Sequence, residues 1–548
     1  MREAMVLASA MLAMFSMSCA AAPTARFAEL TYAAKGDAPS PAGRYRNPIL
    51  PGFQPDPSIV RVGGDFYLVN STFAWFPGIP IYHSRDLVHW RQIGNAIDRK
   101  GMLDFKGLGT SRGVFAPAIT WHAGIFYILD TCVDCGGNFL VTAKNPAGPW
   151  SNPVWLGFDG IDCSLFVDDD GSAWIVNNGE PPEKPRYDGH RAIWIQRFDL
   201  KSLKLFGPRK VLVDGGVHPE DKPVWAEGPH IFKRDGWYYL MAAEGGTAEN
   251  HSETIYRSRR PDGPYVPGPV NPILTQRDLP PGRPDRVEAT GHADLVRLAD
   301  GSWWGVFLAT RPFAGQSTLL GRETWLLPVS WKAGWPLFLP AGEPVPLLVR
   351  KPALPASPGS AWDHWADDFN EHALSPAWLR LRNPPARDYA LEHGDLVLFP
   401  GVDPAGSLGT PTFYGRRLRH PAATISTTVA FAPEKPGDFA GLLALMDEAH
   451  FLAFGIEGTD RGKSIVARLR SDEQQDERGT IVASAALAAI GPVELRLAID
   501  GGKAALSWRA AGKPWQVLAP AIDVEPLASV HAGLFTGLVV GPYALAGK

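Results

Sequence analysis

Cysteine is scarce in this chain, with only four residues in 548. Cys19 lies in the N-terminal segment, so Cys132, Cys135 and Cys163 remain, and this small odd number argues against a disulfide-built scaffold. Cys132 and Cys135 have CxxC spacing, but no second pair exists to complete a zinc site. A local disulfide or free thiols are therefore expected, rather than a metal site or redox chemistry.

An excess of basic charge is also lacking. The 53 Lys and Arg residues are balanced by 57 Asp and Glu residues, which gives a formal net charge of -4. Nucleic acids and anionic membranes attract strongly basic surfaces. The charge balance therefore argues against both as partners.

Long hydrophobic runs are absent beyond the first 22 residues, so no membrane span is expected. Residues 1–22 combine Arg2, small residues at Ala20–Ala22, and a Met/Ala/Leu run too short for a bilayer core of about 30 Å. This pattern predicts a cleaved signal peptide and a secreted or periplasmic protein. Cys19 leaves lipoprotein anchoring as an alternative, although Ser16 stands where such signals prefer leucine.

Glycine, proline and tryptophan are abundant, with 57, 51 and 19 residues. Five times, a short apolar strand meets a polar turn and is followed by an aromatic-rich strand, which is the pattern of a hairpin. The turn glycines are Gly64, Gly124, Gly171, Gly236 and Gly301. Their spacing is that of one four-stranded blade with its loops. We therefore predict an all-β chain with a five-bladed β-propeller over residues 44–345.

A special residue precedes the first strand of each hairpin. Counted back eight or nine positions from the turn glycines, these residues are Asp56, Phe115, Asp162, Glu227 and His292. Any one of them alone would more often be a strand cap or a surface charge. Equivalent positions of successive blades, however, converge on the axis of a propeller. The pattern therefore predicts a functional site at one end of the central channel.

Several segments carry a family resemblance, namely NPILPGFQPDPSIV, GIDCSLFVDDDG, AEGPHIFKRDGWYYL, TGHADLV and LGRETW. They resemble glycoside hydrolase family 43, in the branch of β-xylosidases and α-L-arabinofuranosidases that carry a C-terminal β-sandwich. The resemblance runs from about Arg46 to the C-terminus and implies a five-bladed propeller, in agreement with the repeat count. It implies that Asp56 is the general base, Glu227 the general acid, and Asp162 the residue that adjusts the pKa of the acid and orients the sugar.

These implied roles fit the inverting hydrolysis of a glycosidic bond, in which one carboxyl group protonates the leaving oxygen and another activates water. The two prolines beside Asp56 restrict its backbone and hold the base still. A neighbouring carboxylate such as Asp162 raises the pKa of Glu227 and keeps it protonated. Two positions depart from the family pattern: Cys163 stands in place of a usual proline, and Phe115 in place of a common tryptophan.

The resemblance also implies residues that contact the sugar. Phe73, Trp75 and Phe115 correspond to pocket walls, although Trp75 fits the core of a blade equally well. Arg322 corresponds to a donor to sugar hydroxyls, with an ion pair to the adjacent glutamate as the structural alternative. His292 is expected to orient water in the channel, or to bind a structural Ca²⁺ there as in some relatives. No cofactor is expected to be required, and no catalytic metal is predicted.

The composition changes after the propeller. Residues 346–362 are rich in proline and include apolar residues, which predicts a linker that lies against the protein surface. Residues 363–548 contain many short strands separated by turns and predict a jelly-roll-like β-sandwich. This region resembles the C-terminal domain of the same branch, which packs beside the propeller and helps to close the pocket.

The sequence therefore predicts a secreted, inverting exo-glycosidase that releases D-xylose from the non-reducing end of β-1,4-xylo-oligosaccharides. An α-L-arabinofuranosidase, or an enzyme with both activities, is the nearest alternative because the two sugars present similar atoms to such a pocket. A non-catalytic sugar-binding propeller is a third hypothesis, and loss of a carboxylate would mark it. The sequence leaves open whether the chain forms a homo-oligomer.

Overall fold

A computed structural model describes residues 23–35 and 39–547. The predicted signal peptide, residues 1–22 with Cys19, lies outside the described residues. Nearly all regular structure is β-strand, and the two short 3-10 helices span Pro219–Asp221 and Glu525–Leu527. Within the described ranges, no helix has the length and apolar character needed to cross a membrane.

Five antiparallel sheets form the blades of the propeller and confirm the predicted fold. The first blade contains strands Ser58–Val62, Asp65–Val69, Gly78–Ser84 and Arg91–Ile97. The second contains Gly113–His122, Ile125–Val133, Gly137–Ala143 and Val154–Trp155. The third contains Ile161–Val167, Ala173–Gly179, Ala192–Asp199 and Lys204–Asp214.

The last two blades have the same order. The fourth contains Glu227–Arg234, Trp237–Glu244, Ser252–Ser258 and Val266–Pro267, with Leu274–Thr275 also paired to its third strand. The fifth contains Glu288–Arg297, Trp303–Thr310, Glu323–Lys332 and Trp335–Leu337. The first two strands of every blade form one of the hairpins predicted from the turn glycines.

Each innermost strand has a residue in the left-handed backbone region close to its start, between two positions before its first residue and four positions after it. These residues are Asp56, Ala116, Asp162, Gly228 and His292, with φ between 48° and 57°. In blades two to five the strand pairing shifts register around them, as at a β-bulge. A left-handed residue turns the chain sharply, so the start of every innermost strand bends at the same end of the channel.

The predicted equivalence of the five special residues is therefore wrong by one position in two blades. Ala116 and Gly228, rather than Phe115 and Glu227, occupy the left-handed position. The hairpin turns of the third and fifth blades are longer than those of the other three. Counting back from a turn glycine consequently reaches different backbone positions in different blades.

The ends of the propeller domain are tied together. Strand Arg44–Arg46 pairs with Leu348–Arg350, and Val349 is buried against the propeller core. Further along the predicted linker, the backbone N–H of Ser357 donates to Asp86 at 3.1 Å and that of Ser360 to the carbonyl of Trp90 at 3.0 Å. The linker segment 346–362 thus lies along the first and fifth blades and is not a free tether.

Two packed sheets form the predicted C-terminal β-sandwich. One sheet has the strand order Tyr389–Glu392, Asp395–Leu398, Ala25–Ala34, Ala422–Ala430, Val493–Asp500, Lys503–Ala510 and Gln516–Asp523, with His364–Asp367 paired to Ala25–Ala34. The other has the order Thr412–Phe413, Val539–Leu545, Phe439–Asp447, His450–Thr459, Gly462–Ser471 and Thr480–Ala486, with Arg416–Arg417 paired to Val539–Leu545. The remaining short strands are Trp75–Phe76 and Arg380–Leu381, which pair with each other across the two domains.

The strand Ala25–Ala34 was not predicted from the sequence. It precedes the propeller in the chain, yet it lies inside a sheet of the sandwich between Asp395–Leu398 and Ala422–Ala430. Phe27 and Leu30 on this strand are fully buried in the sandwich core. The sandwich is therefore built from both ends of the described chain.

Candidate active site

The three predicted carboxyl groups meet in one cavity. Asp56, Asp162 and Glu227 line a space of about 570 Å³ at the end of the channel where the innermost strands begin. His292 and Arg322 line the same cavity. The convergence follows from the propeller, because blades one, three, four and five each present the first residues of an innermost strand to a common axis.

Asp56 is held as a carboxylate by its neighbours. One carboxylate oxygen accepts a hydrogen bond from Nη1 of Arg322 at 2.8 Å, and the other accepts one from the hydroxyl of Ser71 at 2.5 Å. Burial alone would raise the pKa of Asp56, but Arg322, His292 and Ser71 together lower it below its ordinary value. The group is therefore ionised and fixed in place, as a general base must be.

Glu227 and Asp162 are shifted in the opposite direction. Burial, followed by the charges of Asp162 and Asp56, raises the pKa of Glu227 well above its ordinary value. Burial and the charge of Asp56 raise the pKa of Asp162 to about 7. The backbone N–H of Gly228 donates a hydrogen bond of 3.1 Å to Asp162, which lowers this pKa but does not cancel the rise. One cavity thus holds an ionised carboxylate beside a carboxyl group that stays protonated, which is the arrangement of an acid–base pair.

Arg322 lies at the cavity, as predicted, and does not form the alternative ion pair. The adjacent Glu323 is bound instead by Arg311 at 2.7 Å. Only one terminal nitrogen of Arg322 reaches Asp56, while its Nε and Nη2 are buried and have no hydrogen-bond partner within the described residues. Buried unpaired donors are costly, so these two atoms are suited to bind hydroxyl groups of a ligand.

His292 lies beside the base. Its Nδ1 is 4.0 Å from the carboxylate of Asp56, and burial lowers its pKa to about 4, so the ring is neutral near pH 7. The structural Ca²⁺ expected beside His292 stays a prediction. In residues 23–35 and 39–547, no group of three or more His, Cys, Asp and Glu side chains could hold a metal ion.

Aromatic rings from both domains form one wall of the cavity. The ring of Phe73 is 4.9 Å from that of Phe115, and Phe535 of the sandwich lies 5.6 Å from each. The guanidinium of Arg322 lies over Phe535 at 5.4 Å. Phe73 and Phe115 were predicted as walls, and both line the cavity.

Trp75, also predicted as a wall, does not line the cavity. Its side chain is fully buried, and its ring packs against Phe413 of the sandwich at 6.1 Å. Its strand pairs with Arg380–Leu381. Trp75 therefore belongs to the core shared by the two domains, and its proximity to Phe73 in the sequence does not bring it to the site.

The lining residues that were missed from the sequence include Phe535, Trp225 and Arg112. Phe535 reaches the site from a sandwich loop that lies more than three hundred residues beyond each of the three carboxylates in the chain, and no local pattern marks it. Trp225 stands two positions before Glu227 and directly before the quoted segment AEGPHIFKRDGWYYL, so its closeness to the acid was a usable signal. Arg112 precedes the second blade and pairs with Asp134 at 2.7 Å.

The three cysteines of the described residues form one disulfide and one free thiol. Cys132 and Cys135 form a disulfide at the end of a strand of the second blade, and Cys163 is a free buried thiol. Cys163 follows Asp162 directly, and its sulfur lies 3.6 Å from the carbonyl oxygen of Asp130. Burial raises the pKa of the Cys163 thiol, so it packs as an uncharged group behind the site.

An ionised and a protonated carboxyl group that line one cavity are the pair of groups that a glycosidase uses. The chain belongs to glycosyl hydrolases family 43, whose family model matches residues 45–336. A second model, the β-xylosidase C-terminal concanavalin A-like domain, matches residues 366–548. The protein is therefore a glycoside hydrolase, and the resemblance drawn from the sequence motifs is confirmed.

Characterised relatives span both sugar specificities. A xylosidase/arabinosidase of Butyrivibrio fibrisolvens is 37% identical over 518 residues, covering 91% of this chain and 95% of the relative. A non-reducing end α-L-arabinofuranosidase of Bacteroides ovatus is 37% identical over 512 residues, covering 91% of each chain. The crystal structure of a xylan β-1,4-xylosidase of Bacillus halodurans is 34% identical, with a TM-score of 0.83 over 91% of this chain and 96% of that chain.

Proposed function

We propose that this protein is an inverting exo-β-xylosidase that releases D-xylose from the non-reducing end of β-1,4-xylo-oligosaccharides. The observation that carries the proposal is the convergence of Asp56 and Glu227 on one cavity, in surroundings that shift their pKa values in opposite directions. The names of the relatives support the sugar class, since several are xylosidases or xylosidase/arabinosidases.

The proposed reaction uses the two groups on opposite sides of the bond. Glu227 gives its proton to the glycosidic oxygen, and the carboxylate of Asp56 removes a proton from the attacking water. The carboxylate charge of Asp162 stabilises the protonated form of Glu227, and the two unpaired N–H groups of Arg322 bind sugar hydroxyls. Neutral His292 lies against the base and supports the orientation of the water.

The sandwich supports exo-action. Phe535 and its neighbours Gly533 and Leu534 line the cavity together with residues of the propeller. A bare propeller end is an open funnel, whereas a funnel closed on one side accepts only the end of a sugar chain. Release of single terminal sugars follows from this closure.

Paired substrates test the proposal. The purified protein should hydrolyse 4-nitrophenyl β-D-xyloside with a higher kcat/KM than 4-nitrophenyl α-L-arabinofuranoside. Proton NMR of the first sugar released from the β-xyloside should show the α anomer, because a single displacement by water inverts the anomeric carbon. Initial release of β-xylose would overturn the inverting mechanism.

A preference for the arabinofuranoside would identify the second candidate, an α-L-arabinofuranosidase. That candidate is favoured by one specific finding, the 37% identity to the Bacteroides ovatus enzyme of that name. The proposed roles of Asp56, Asp162 and Glu227 are the same for a xylosidase and an arabinofuranosidase, so only the preferred sugar would change.

The location of the protein is also part of this proposal. The pattern of residues 1–22 supports export through a cleaved signal peptide, and Cys19 offers lipid anchoring as the alternative. Mass spectrometry of the protein isolated from its own cells distinguishes the two, because lipidation would leave an acylated N-terminal cysteine.

A further inference from the structure

The cavity is larger than the carboxylate site and has a second region. Beyond Asp56, Glu227 and Arg322, its lining includes Val224, Trp225, Thr247 and Ala248. A volume of about 570 Å³ exceeds what one pentose fills. In the chain, Val224 and Trp225 of this region stand three and two positions before Glu227, the group that would protonate a leaving oxygen.

Trp225 is held rigidly in this second region. Its backbone is in the left-handed region with φ of 54°, and its N–H donates to the carbonyl of Gly189 at 2.9 Å. A Cβ on Gly189 would lie 2.9 Å from Val224 and 3.4 Å from the ring of Trp225, so the glycine allows this close packing. The neighbouring loop is fixed as well, because the N–H of Gly245 donates to Val224 at 2.8 Å.

One face of the Trp225 ring is covered by a cation. The guanidinium of Arg191 lies 4.3 Å from the ring centroid, and Arg191 forms an ion pair with Glu180. This arrangement fixes the plane of the ring through a cation–π contact. The side chain of Trp225 is only partly buried and borders the cavity, so apolar ring surface remains available to a ligand.

We infer that Trp225, braced by Arg191 and Glu180, is the platform on which the leaving-group sugar of the substrate packs. Sugar rings present flat C–H faces, and a fixed aromatic ring binds such a face with little loss of conformational freedom. The inference rests on the proposed function for the identity of the sugar. It adds a specificity-determining residue that selects oligosaccharides over glycosides with small leaving groups.

Two substrates with different leaving groups test this role. In xylobiose the leaving group is a sugar, whereas in β-xylosyl fluoride it is a single atom that cannot contact Trp225. The variant Trp225→Ala should lose about tenfold more kcat/KM on xylobiose than on the fluoride, and Trp225→Phe should recover part of that difference. Equal losses on the two substrates would overturn the inference and make Trp225 a support for Glu227.

A matched control is available in the sandwich. Trp515 is also covered by arginine, with Arg496 at 3.9 Å and Arg509 at 4.7 Å, but it does not line the cavity. The variant Trp515→Ala should leave the ratio of the two kcat/KM values unchanged. A change equal to that of Trp225→Ala would show that loss of any stacked tryptophan alters the ratio, against the inference.

Measurements of sugar binding distinguish failure of this inference from failure of the proposed function. In the Glu227→Gln background, calorimetry should show tighter binding of xylobiose than of xylose, and Trp225→Ala should abolish most of that preference. Failure of the wild-type enzyme to hydrolyse any xyloside would defeat the proposed function and leave this comparison valid. Equal affinities for the two sugars with Trp225 intact would show that Trp225 does not bind the leaving-group sugar.

Discussion

Asp56 and Glu227 are both carboxyl groups, but their neighbours give them opposite charge states. Arg322 and Ser71 contact Asp56 directly, whereas the nearest charges to Glu227 that raise its pKa are two other carboxyl groups. At the scale of single residues, the assignment of base and acid therefore depends on Arg322 contacting Asp56 rather than Glu227.

The first prediction concerns these two residues. Asp56→Asn and Glu227→Gln should each lower kcat by roughly 10²–10⁴-fold, because each removes one proton-transfer group. Circular dichroism should show an unchanged fold. The control is Glu220→Gln, which alters an exposed carboxylate on the 3-10 helix Pro219–Asp221. Near-normal rates in both site variants would contradict the assignment.

The second prediction concerns pH. The kcat/KM profile should be bell-shaped, with activity lost at low pH as Asp56 is protonated and at high pH as Glu227 is deprotonated. Asp162 is one of the charges that raise the pKa of Glu227, so Asp162→Asn should move the alkaline limb to lower pH. An alkaline limb at the wild-type position in Asp162→Asn would show that Asp162 does not raise the pKa of the acid and that burial and the charge of Asp56 set it.

Residues that are close in sequence to a motif were predictable, and residues supplied by distant loops were not. The carboxylates, Phe73 and Arg322 stand in or beside motifs with recognisable order. Phe535 contacts the same site from the far end of the chain, and only the packing of the two domains brings it there. Trp75 is the converse case, since it is near in sequence but turned into the interdomain core.

At the scale of elements, the recurring left-handed residue at the start of each innermost strand places the catalytic groups. Asp56, Asp162 and His292 occupy this left-handed position themselves. Glu227 precedes it, and Gly228 is the left-handed residue in that blade. The hairpins were predictable from turn glycines and apolar alternation. The exact position of each bend was not, because turn lengths differ between blades.

The third prediction tests this bend. A Cβ on Gly228 would lie 3.0 Å from the imidazole of His292, and its φ of 57° disfavours a side chain. Gly228→Ala should therefore lower the free energy of unfolding by more than the about 1 kcal/mol expected for a left-handed alanine, and should lower kcat by roughly 10²-fold as Glu227 moves. Thermal unfolding and steady-state kinetics measure the two effects.

Gly236 provides the comparison. It has φ of 71° at the tip of the same hairpin, with its nearest neighbour, an arginine side chain, at 3.7 Å. Gly236→Ala should show only the backbone cost and normal kcat. If both variants behave alike, contact with His292 is not what requires the glycine at 228.

At the scale of the whole molecule, the propeller and the sandwich share a hydrophobic core. Phe53, Phe73 and Trp75 of the propeller pack in one cluster with Phe413 and Phe439 of the sandwich. Polar contacts reinforce this interface. For example, the hydroxyl of Thr110 in the propeller domain donates a hydrogen bond to Glu448 of the sandwich at 2.8 Å. Burial of such a core is a large favourable contribution to stability.

The fourth prediction is that the propeller does not act without the sandwich. A chain that ends at Pro346 should be poorly soluble, because its half of the shared core and the strand Ala25–Ala34 would be exposed. Any soluble fraction should lose activity on xylobiose, since Phe535 is missing. A soluble, fully active truncated protein would show that the sandwich is an independent module.

Adding a separately produced chain of residues 363–547 is the matching control. If the shared core and the paired strand are the cause, the two pieces should associate and recover activity together. Recovery should fail when the first piece lacks residues 24–34, because its central strand of the sandwich would be absent.

The strand Ala25–Ala34 also sets the order in which the enzyme is completed during synthesis. It emerges first from the ribosome, but its partners Asp395–Leu398 and Ala422–Ala430 follow only after every blade has been made. Contacts this distant in sequence form late in folding. The loop with Phe535 comes later still, so an unfinished chain carries all three carboxylates and no finished pocket. Hydrolysis is therefore expected to begin only when the loop with Phe535 is in place.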